Sequence, residues 1–364
     1  MENLPLDTIL HGDCVDILDD FPASSVDLIF ADPPYNLQLT QTLFRPNQSM
    51  VDGVDDTWDK FTDLADYDRF TVRWLTACRR VLNETGTLWV IGSYHNIFRV
   101  GAIMQDLGFW FLNDVVWIKN NPMPNFHGVR FTNAHETLLW AQKTKGMKYT
   151  FNHQSMKFLN DDLQMRSDWY LPICTGKERQ MIAGRKAHSA QKPEALLYRV
   201  LLATTNPGDI VLDPFFGTGT TGAVARKLGR HYIGIERDAG YLEVAAQRIA
   251  AVEIAPESAL QIPNPRQQKR IPFGALLEAG LLQPGQTLQF VHGGQIAFIM
   301  ADGSLRCGEL TGSIHSVARA LSNNRPTNGW DCWLYATGSG QFIPIDLLRD
   351  QIREENNPRG ENNL

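Results

Sequence analysis

Short apolar runs bounded by turn residues recur along the first two thirds of the chain, alternating with stretches whose apolar residues return at helical spacing. Residues 8–11, 26–31, 87–91, 109–119, 137–142, 210–213 and 231–236 read as strands. The run Val26-Asp-Leu-Ile-Phe-Ala31 is apolar enough for a parallel strand buried on both faces. Helices are expected from residue 15 and over 67–82, 96–107, 194–204 and 221–228. The second of these carries Phe70, Trp74, Leu75, Cys78 and Leu82 on one stripe. Strands alternating with helices predict an α/β, Rossmann-like fold with a mostly parallel, doubly wound sheet.

The pattern changes twice. More than twenty residues from Asn36 to Asp59 show no sustained periodicity and are read as a loop that orders on a substrate. Residues 119–192 are polar, loop-rich and basic, an insertion within a first domain of residues 1–254. From 255 to 270 the chain reads as a Pro-rich basic linker, including Ile262-Pro-Asn-Pro-Arg266. A small α+β C-terminal domain is expected over 271–350, with strands at 287–291 and 295–300, a helix at 314–321 and the aromatics Trp330, Trp333 and Tyr335. Residues 351–364 read as a flexible tail.

Composition narrows the partners. The chain has 364 residues and a formal net charge of −6, so any nucleic-acid surface must come from local basic patches. Two exist: Lys119, Arg130, Lys143, Lys145 and Lys148 against Glu136 alone, and Lys177, Arg179, Arg185, Lys186 and Lys192 against Glu178. Asn121, Asn125 and Gln191 are interleaved with them, and Asn, Gln and Arg can read base edges bidentately. Such runs are solvated faces more often than not, but two in an acidic chain favour DNA contact. Five scattered cysteines without C-x-x-C spacing read as reduced, with neither zinc nor disulfides expected. No apolar run is long enough for a membrane span and no leader pattern opens the chain, so a soluble cytoplasmic protein is expected.

The chemistry concentrates after two strands. Asp32-Pro33-Pro34-Tyr35 suits the activation of an aromatic amine. Asp32 can accept one N–H hydrogen and the Pro33 carbonyl the other, while Tyr35 stacks on the base. Asp213-Pro-Phe-Phe-Gly217-Thr-Gly219-Thr220 is a Gly-rich strand-to-helix turn, and Glu236 ends the next strand, the layout of a site for an adenosine-containing cofactor. A dinucleotide is the rival, but the third spaced glycine of that fingerprint is missing. Asp13 sits at a strand-to-helix turn, where a helix cap and a ligand contact are equally open readings.

Together the two motifs resemble the S-adenosylmethionine-dependent amino-methyltransferases. The order, catalytic motif before cofactor motif, is similar to the permuted β class of DNA N6-adenine methyltransferases. The stretches Phe30-Ala-Asp-Pro-Pro-Tyr-Asn-Leu-Gln38, Trp89 to Arg99, Asn121-Pro-Met-Pro-Asn-Phe126 and Ala134-His-Glu-Thr137 resemble the cell-cycle-regulated GANTC adenine methyltransferases of α-proteobacteria. The resemblance implies a catalytic pocket of Asp32, Pro33, Pro34 and Tyr35 for a flipped adenine in double-stranded DNA. It implies a cofactor site of Asp13, Cys14, Lys192, Asp213, Phe215, Gly217, Gly219, Thr220 and Glu236, with Lys192 near the methionine end. Arg45, Asn47, Lys119, Asn121, Asn125, Arg130, Arg179, Lys186 and Trp330 are the candidate DNA contacts. Trp330 can equally be core or a stacking platform. The rivals are an N4-cytosine enzyme, whose motif usually begins with Ser, and a catalytically silent DNA-binding protein. A homodimer and association with the nucleoid stay open.

Overall fold

The computed structural model describes residues 4–37, 59–124, 129–182, 185–187, 190–260, 271–325, 327–338 and 340–356. The chain divides into two compact units, residues 1–263 and 264–364.

The first unit is built on an eight-stranded sheet. In chain order its elements are β1 (Thr8–His11), α1 (Cys14–Asp19), β2 (Val26–Ala31), α2 (Leu64–Val81), β3 (Leu82–Gly92), α3 (Ile97–Asp106), β4 (Trp110–Lys119), β5 (His135–Gln142), α4 (His153–Phe158) and β6 (Asp168–Leu171). There follow the hairpin strands β7 (Met181–Ile182) and β8 (Arg185–Lys186), then α5 (Glu194–Thr204), β9 (Ile210–Asp213), α6 (Thr220–Lys227), β10 (His231–Glu236), α7 (Ala239–Ala250) and α8 (Glu257–Leu260). The strand order is β1-β10-β9-β2-β3-β5-β4-β6. Only β5 runs against the rest, pairing antiparallel with both β3 and β4. The sheet is thus mixed but mostly parallel, as the alternating pattern predicts.

Alternation along each strand sends side chains into two separate cores. Ile29 and Ala31 of β2, with Leu88 and Val90 of β3, pack under Leu18, Trp74 and Val100 of α1, α2 and α3. Leu28, Phe30, Trp89 and Ile91 point the other way, onto Leu196, Val200, Val224 and Ile249 of α5, α6 and α7. Both faces of the central strands are buried, which explains why they read as continuous apolar runs.

Two strand ends define the crevice. The chain leaves β2 for β3 on one side and β9 for β10 on the other, and β2 and β9 are neighbours. That is a topological switch point, where loops diverge and leave room for ligand. The Gly-rich turn after β9 is closed by Phe216, whose ring stacks on Tyr232 at 6.1 Å. Its room comes from a missing side chain: a Cβ at Gly234 would lie 2.4 Å from the Phe216 ring.

The second unit holds β11 (Thr287–Phe290), β12 (Ile296–Ile299), β13 (Leu305–Cys307), β14 (Leu310–Gly312), β15 (Trp333–Ala336) and β16 (Phe342–Pro344), ordered β14-β13-β12-β11-β15-β16 with every pairing antiparallel. Helices α9 (Gly274–Glu278), α10 (Ile314–Leu321) and α11 (Asp346–Asn356) share its core of Leu276, Phe290, Ile314, Trp330 and Trp333. Of the tail expected over 351–364, residues 351–356 are helical, and residues 357–364 lie outside the described residues. The last helix runs to Asn356, because Ile352 is buried one turn beyond Leu348. Part of the expected linker is also helical, at Glu257–Leu260, while residues 261–270 lie outside the described residues.

Replacing Gly234 with Ala is expected to lower unfolding free energy by about 1–3 kcal/mol, the usual cost of overpacking. A urea titration reads this, and an unchanged midpoint would mean that Phe216 has room to move.

Candidate active site

Five elements deliver the site to the C-terminal edge of the parallel strands. Asp32 follows β2, Asp213 ends β9, Glu236 ends β10 and Asp13 follows β1. The antiparallel strand contributes its beginning instead, so Glu136 arrives at the same edge opposite Trp117 near the end of β4.

The Asp32-Pro-Pro-Tyr tetrapeptide is held from below. The Tyr67 hydroxyl of α2 donates to the Pro34 carbonyl at 2.9 Å and receives the Asn96 amide at 3.2 Å. Asn96 in turn accepts from the Ser93 N–H at the end of β3, at 3.0 Å. Past the motif, the Asp59 carboxylate accepts from the Asn36 and Leu37 N–H groups at 2.7 and 2.8 Å. Asn36 has φ +55°, a turn Asn tolerates better than most residues. Desolvation raises the carboxyl of Asp59, and the amides it accepts from work against that.

Around Asp32 lies a chain of buried charges. Lys192 Nζ is 2.7 Å from Asp32 Oδ2 and 3.8 Å from Glu136 Oε2. Lys119 Nζ closes the chain on Glu136 Oε1 at 2.8 Å. The Tyr35 hydroxyl donates to Glu136 Oε2 at 3.0 Å, and its ring centroid lies 5.1 Å from the Lys192 ammonium. Burial opposes the charge on Lys192, but Asp32 and Glu136 outweigh it and hold the ammonium above the ordinary lysine range. For Glu136 burial is likewise overcome, by Lys192 and Lys119, and its carboxyl titrates low. Asp32 remains raised by burial, with Lys192 pulling it back. Burial and the two carboxylates push the Tyr35 phenol well up, so it stays neutral.

On the cofactor side, Gly217 and Gly219 take left-handed φ values of +54° and +74°, which the turn requires. Glu236 accepts from the Gly217 and Asp238 N–H groups at 2.7 and 2.8 Å. The Arg237 backbone also reaches this carboxylate, and the lone pairs that remain are available to hydroxyl donors. The Gly12 N–H donates to the Glu236 carbonyl at 3.0 Å, bringing Asp13 alongside. Asp13 does cap α1, accepting from the Val15 N–H at 2.9 Å. Asp213 is buried, accepting from Phe215 N–H at 2.9 Å and the Thr221 hydroxyl at 2.5 Å, and burial pushes its carboxyl up to about 7.

Several expected contacts are used otherwise. Cys14 is 5% exposed and belongs to the core, with burial pushing its thiol up to about 12. Thr220 is 7% exposed, and its hydroxyl joins the Lys192 carbonyl to Arg248 Nη1 rather than facing the crevice. Phe215 packs edge-on against Trp74 at 5.2 Å. Lys192, expected near the methionine end of a cofactor, puts its ammonium on Asp32.

The DNA-facing assignments thin out too. Lys119 is spent on Glu136 and is only 11% exposed, and Trp330 is buried in the second unit's core beneath Arg349. From the same basic run, Lys143 pairs with Glu84 and Lys145 sits 4.0 Å from the centroid of Trp110. Arg179 donates to the Cys174 carbonyl, and Asn121 accepts from the Ile173 N–H at 2.9 Å. Arg130 stays exposed, donating to the Tyr94 hydroxyl at 3.2 Å, and Lys186 lies half-buried in the β7–β8 hairpin. Arg45, Asn47 and Asn125 lie outside the described residues.

Glu136, Tyr67, Asn96 and Asp59 are the contributors that residue patterns missed. Glu136 left one signal, a lone acid among five cations at the head of an apolar strand. Asp59 left none, because it closes a loop without periodicity.

A doubly wound sheet that gathers an Asp-Pro-Pro-Tyr loop and a Gly-rich turn at its switch point is the frame of a DNA methylase. The chain belongs to that family: residues 26–247 match the family model described as DNA methylase, and residues 255–358 match one described as restriction enzyme adenine methylase associated. It is 50% identical over 345 residues to the type II methyltransferase M.HinfI of Haemophilus influenzae, covering 94% of this chain and 96% of that one. Similarity to the type II methyltransferase M2.DpnII of Streptococcus pneumoniae is 40% over 244 residues, covering 67% and 89% respectively. Among solved structures, the M1.HpyAVI–SAM complex aligns with TM-score 0.51 and 29% identity, covering 66% of this chain and 98% of the other. The cytosine-N4-specific PvuII methyltransferase, at 20% identity and TM-score 0.53 over 68% of this chain and 88% of its own, shares the fold.

Because folded Asp213 titrates at about 7, above an unfolded value near 3.8, the native state binds more protons between those limits and its stability falls as pH rises through them. Asn is isosteric, can accept from Phe215 N–H and can donate to Thr221. Relative to wild type, Asp213→Asn is therefore expected to gain thermal stability on passing from acid to neutral pH. A stability difference that does not vary with pH would refute the raised carboxyl.

Proposed function

We propose that the chain is a site-specific DNA methyltransferase of the permuted β class. It moves a methyl group from S-adenosylmethionine to N6 of a flipped adenine in double-stranded DNA, within GANTC. The observation that carries this reading is Asp32-Pro33-Pro34-Tyr35, locked by Tyr67 and Asp59 at the switch point beside the Gly217–Gly219 turn. GANTC itself rests on the sequence resemblance. The role is site-specific DNA modification, the activity class of the type II relatives.

The residues divide the work. An adenine N6 cannot be attacked inside the stack, so the target must first leave it. Tyr35 offers a ring to the extruded base while Glu136 holds its hydroxyl. Asp32 and the Pro33 carbonyl accept the two N6 hydrogens, which localises the lone pair and fixes its direction; positioning of this kind supplies much of the acceleration. When bound, S-adenosylmethionine supplies an electrophilic methyl on a sulfonium sulfur. Gly217 and Gly219 let the backbone approach it, and the remaining lone pairs of Glu236 take its ribose hydroxyls. One N6 proton must leave after transfer, and the Asp32 carboxylate is the acceptor that touches it. The exposed Arg130 and the hairpin residue Lys186 are the duplex contacts we retain.

An N4-cytosine substrate is the nearest rival, since the fold is shared with a cytosine-N4 enzyme. The leading Asp of the tetrapeptide, where such enzymes usually carry Ser, favours adenine.

Plasmid exposed to the enzyme should resist a GANTC-cutting nuclease that adenine methylation blocks. Asp32→Ala is expected to abolish that protection while leaving cofactor affinity within a few-fold, because the loss falls on the chemical step. Glu236→Ala should behave oppositely, losing about 1.5–3 kcal/mol of cofactor binding, or roughly tenfold or more in affinity by calorimetry. Full cleavage after wild-type treatment, or protection by pure Asp32→Ala protein, would defeat the reading.

A further inference from the structure

We propose that Lys192 is a positioning residue whose ammonium keeps Asp32 ionised and aimed at the amine, with Glu136 and Lys119 as the counter-charges that hold the ammonium in place. The inference rests on the methyltransferase reading above.

The geometry starts with what surrounds Asp32. Its carboxylate is one-fifth exposed, and the Lys192 side chain is 8% exposed, so their 2.7 Å contact is formed out of bulk water. The carboxylate has two oxygens. Lys192 takes Oδ2 and the Tyr35 hydroxyl also reaches the carboxylate, so the lone pairs that remain are open to an incoming N–H.

Every charged or titratable neighbour fits this assignment. Glu136, from β5, lies 3.8 Å beyond the ammonium, and Lys119, from β4, neutralises its far oxygen at 2.8 Å. Tyr35 stays a neutral phenol donating to Glu136, and Asp213, at the end of β9, adds a further negative field. The chain alternates anion and cation, Asp32, Lys192, Glu136, Lys119, so no member is left buried and unpaired.

Lys192 is also fixed from behind. Gln191, 7% exposed, accepts from Gln180 N–H at 2.9 Å and donates to the Glu178 carbonyl at 2.9 Å. The Lys192 carbonyl accepts from the Thr220 hydroxyl at 3.3 Å, and Thr220 is held by Arg248 at 2.8 Å. A lysine whose backbone is pinned on both sides delivers its charge to one place. A protonated Asp32 would offer a hydrogen where the mechanism needs an acceptor, so the assignment has a chemical consequence. Burial drives Asp32 toward that failure and Lys192 opposes it.

Glu136 acts with the opposite sign on the same carboxylate, which makes the test two-sided. In single-turnover methylation of a GANTC duplex, the acid limb of the wild-type pH profile reports ionisation of Asp32. Lys192→Met should move that limb upward by about one pH unit or more, the size of a lost neighbouring charge. Glu136→Gln should move it downward, and Lys192→Arg should return it toward wild type. Cofactor affinity, read by calorimetry without DNA, should stay within a few-fold in all three. Limbs that do not move, or that move in the same direction, would overturn the proposal, as would a large loss of cofactor affinity in Lys192→Met. Should Lys192→Met fail to fold, Lys192→Gln takes its place: an upward shift supports the proposal and an unmoved limb overturns it. Wild-type enzyme that fails to protect GANTC removes both readings, whereas wild-type protection with unmoved limbs removes only this one.

Discussion

The desolvation of carboxylates at one sheet edge governs this molecule. Asp32, Asp213, Glu236 and Glu136 all arrive where parallel strands end and β5 begins. Each would leave water at a cost of several kcal/mol if unpaired. The edge offers three distinct compensations. Asp32 and Glu136 share two lysines, Glu236 takes backbone N–H groups from the turns on either side of it, and Asp213 takes one N–H and a hydroxyl. The carboxylate compensated only by neutral donors and fully buried, Asp213, is the one driven up to about 7. Lysine is therefore spent on the two carboxylates nearest the Asp32-Pro-Pro-Tyr loop, and neutral donors serve the others.

The sheet's mixed direction is what makes this sharing feasible. With β5 running against its neighbours, its first residues stand beside the last residues of β3 and β4. A parallel β5 would have sent Glu136 to the far edge, stranding Lys119 and leaving Lys192 with Asp32 alone. One reversed strand thus converts a single ion pair and a stranded lysine into a connected chain.

Much of this was legible in sequence, and the boundary is physical. The strands 26–31, 210–213 and 231–236 were readable because burial on both faces leaves them mostly apolar, and the motif residues were readable because they end or follow those strands. Helix α4 and strand β6 were not, being short and half-exposed inside a polar insertion, and neither was α7, half of whose apolar residues are alanines. In the site, Asp32, Gly217, Gly219 and Glu236 sit where the motifs put them. Glu136 required knowing a strand's direction, which periodicity does not carry.

Three lysines of the basic stretches share a feature that the sequence hides. A cation in a sequence is counted as surface charge, yet a lysine's long stem lets its ammonium reach a buried acid while its own backbone lies elsewhere. Lys119 and Lys192 do this, at 11% and 8% side-chain exposure, while Lys143, 10% exposed, reaches out to the exposed Glu84. The apparent basic insertion thereby loses much of its field, in a protein whose net charge is already −6. Long-range steering toward a polyanion is in any case screened within about 10 Å at ordinary salt. Recognition must then depend on short-range groups close to the crevice. Arg130 is such a group: exposed, in contact with Tyr94, on the segment between β4 and β5 whose two ends carry Lys119 and Glu136. On the function proposed above, the segment that carries Arg130 is flanked by the charges that hold Asp32, so strand placement would couple duplex contact to the state of that carboxylate.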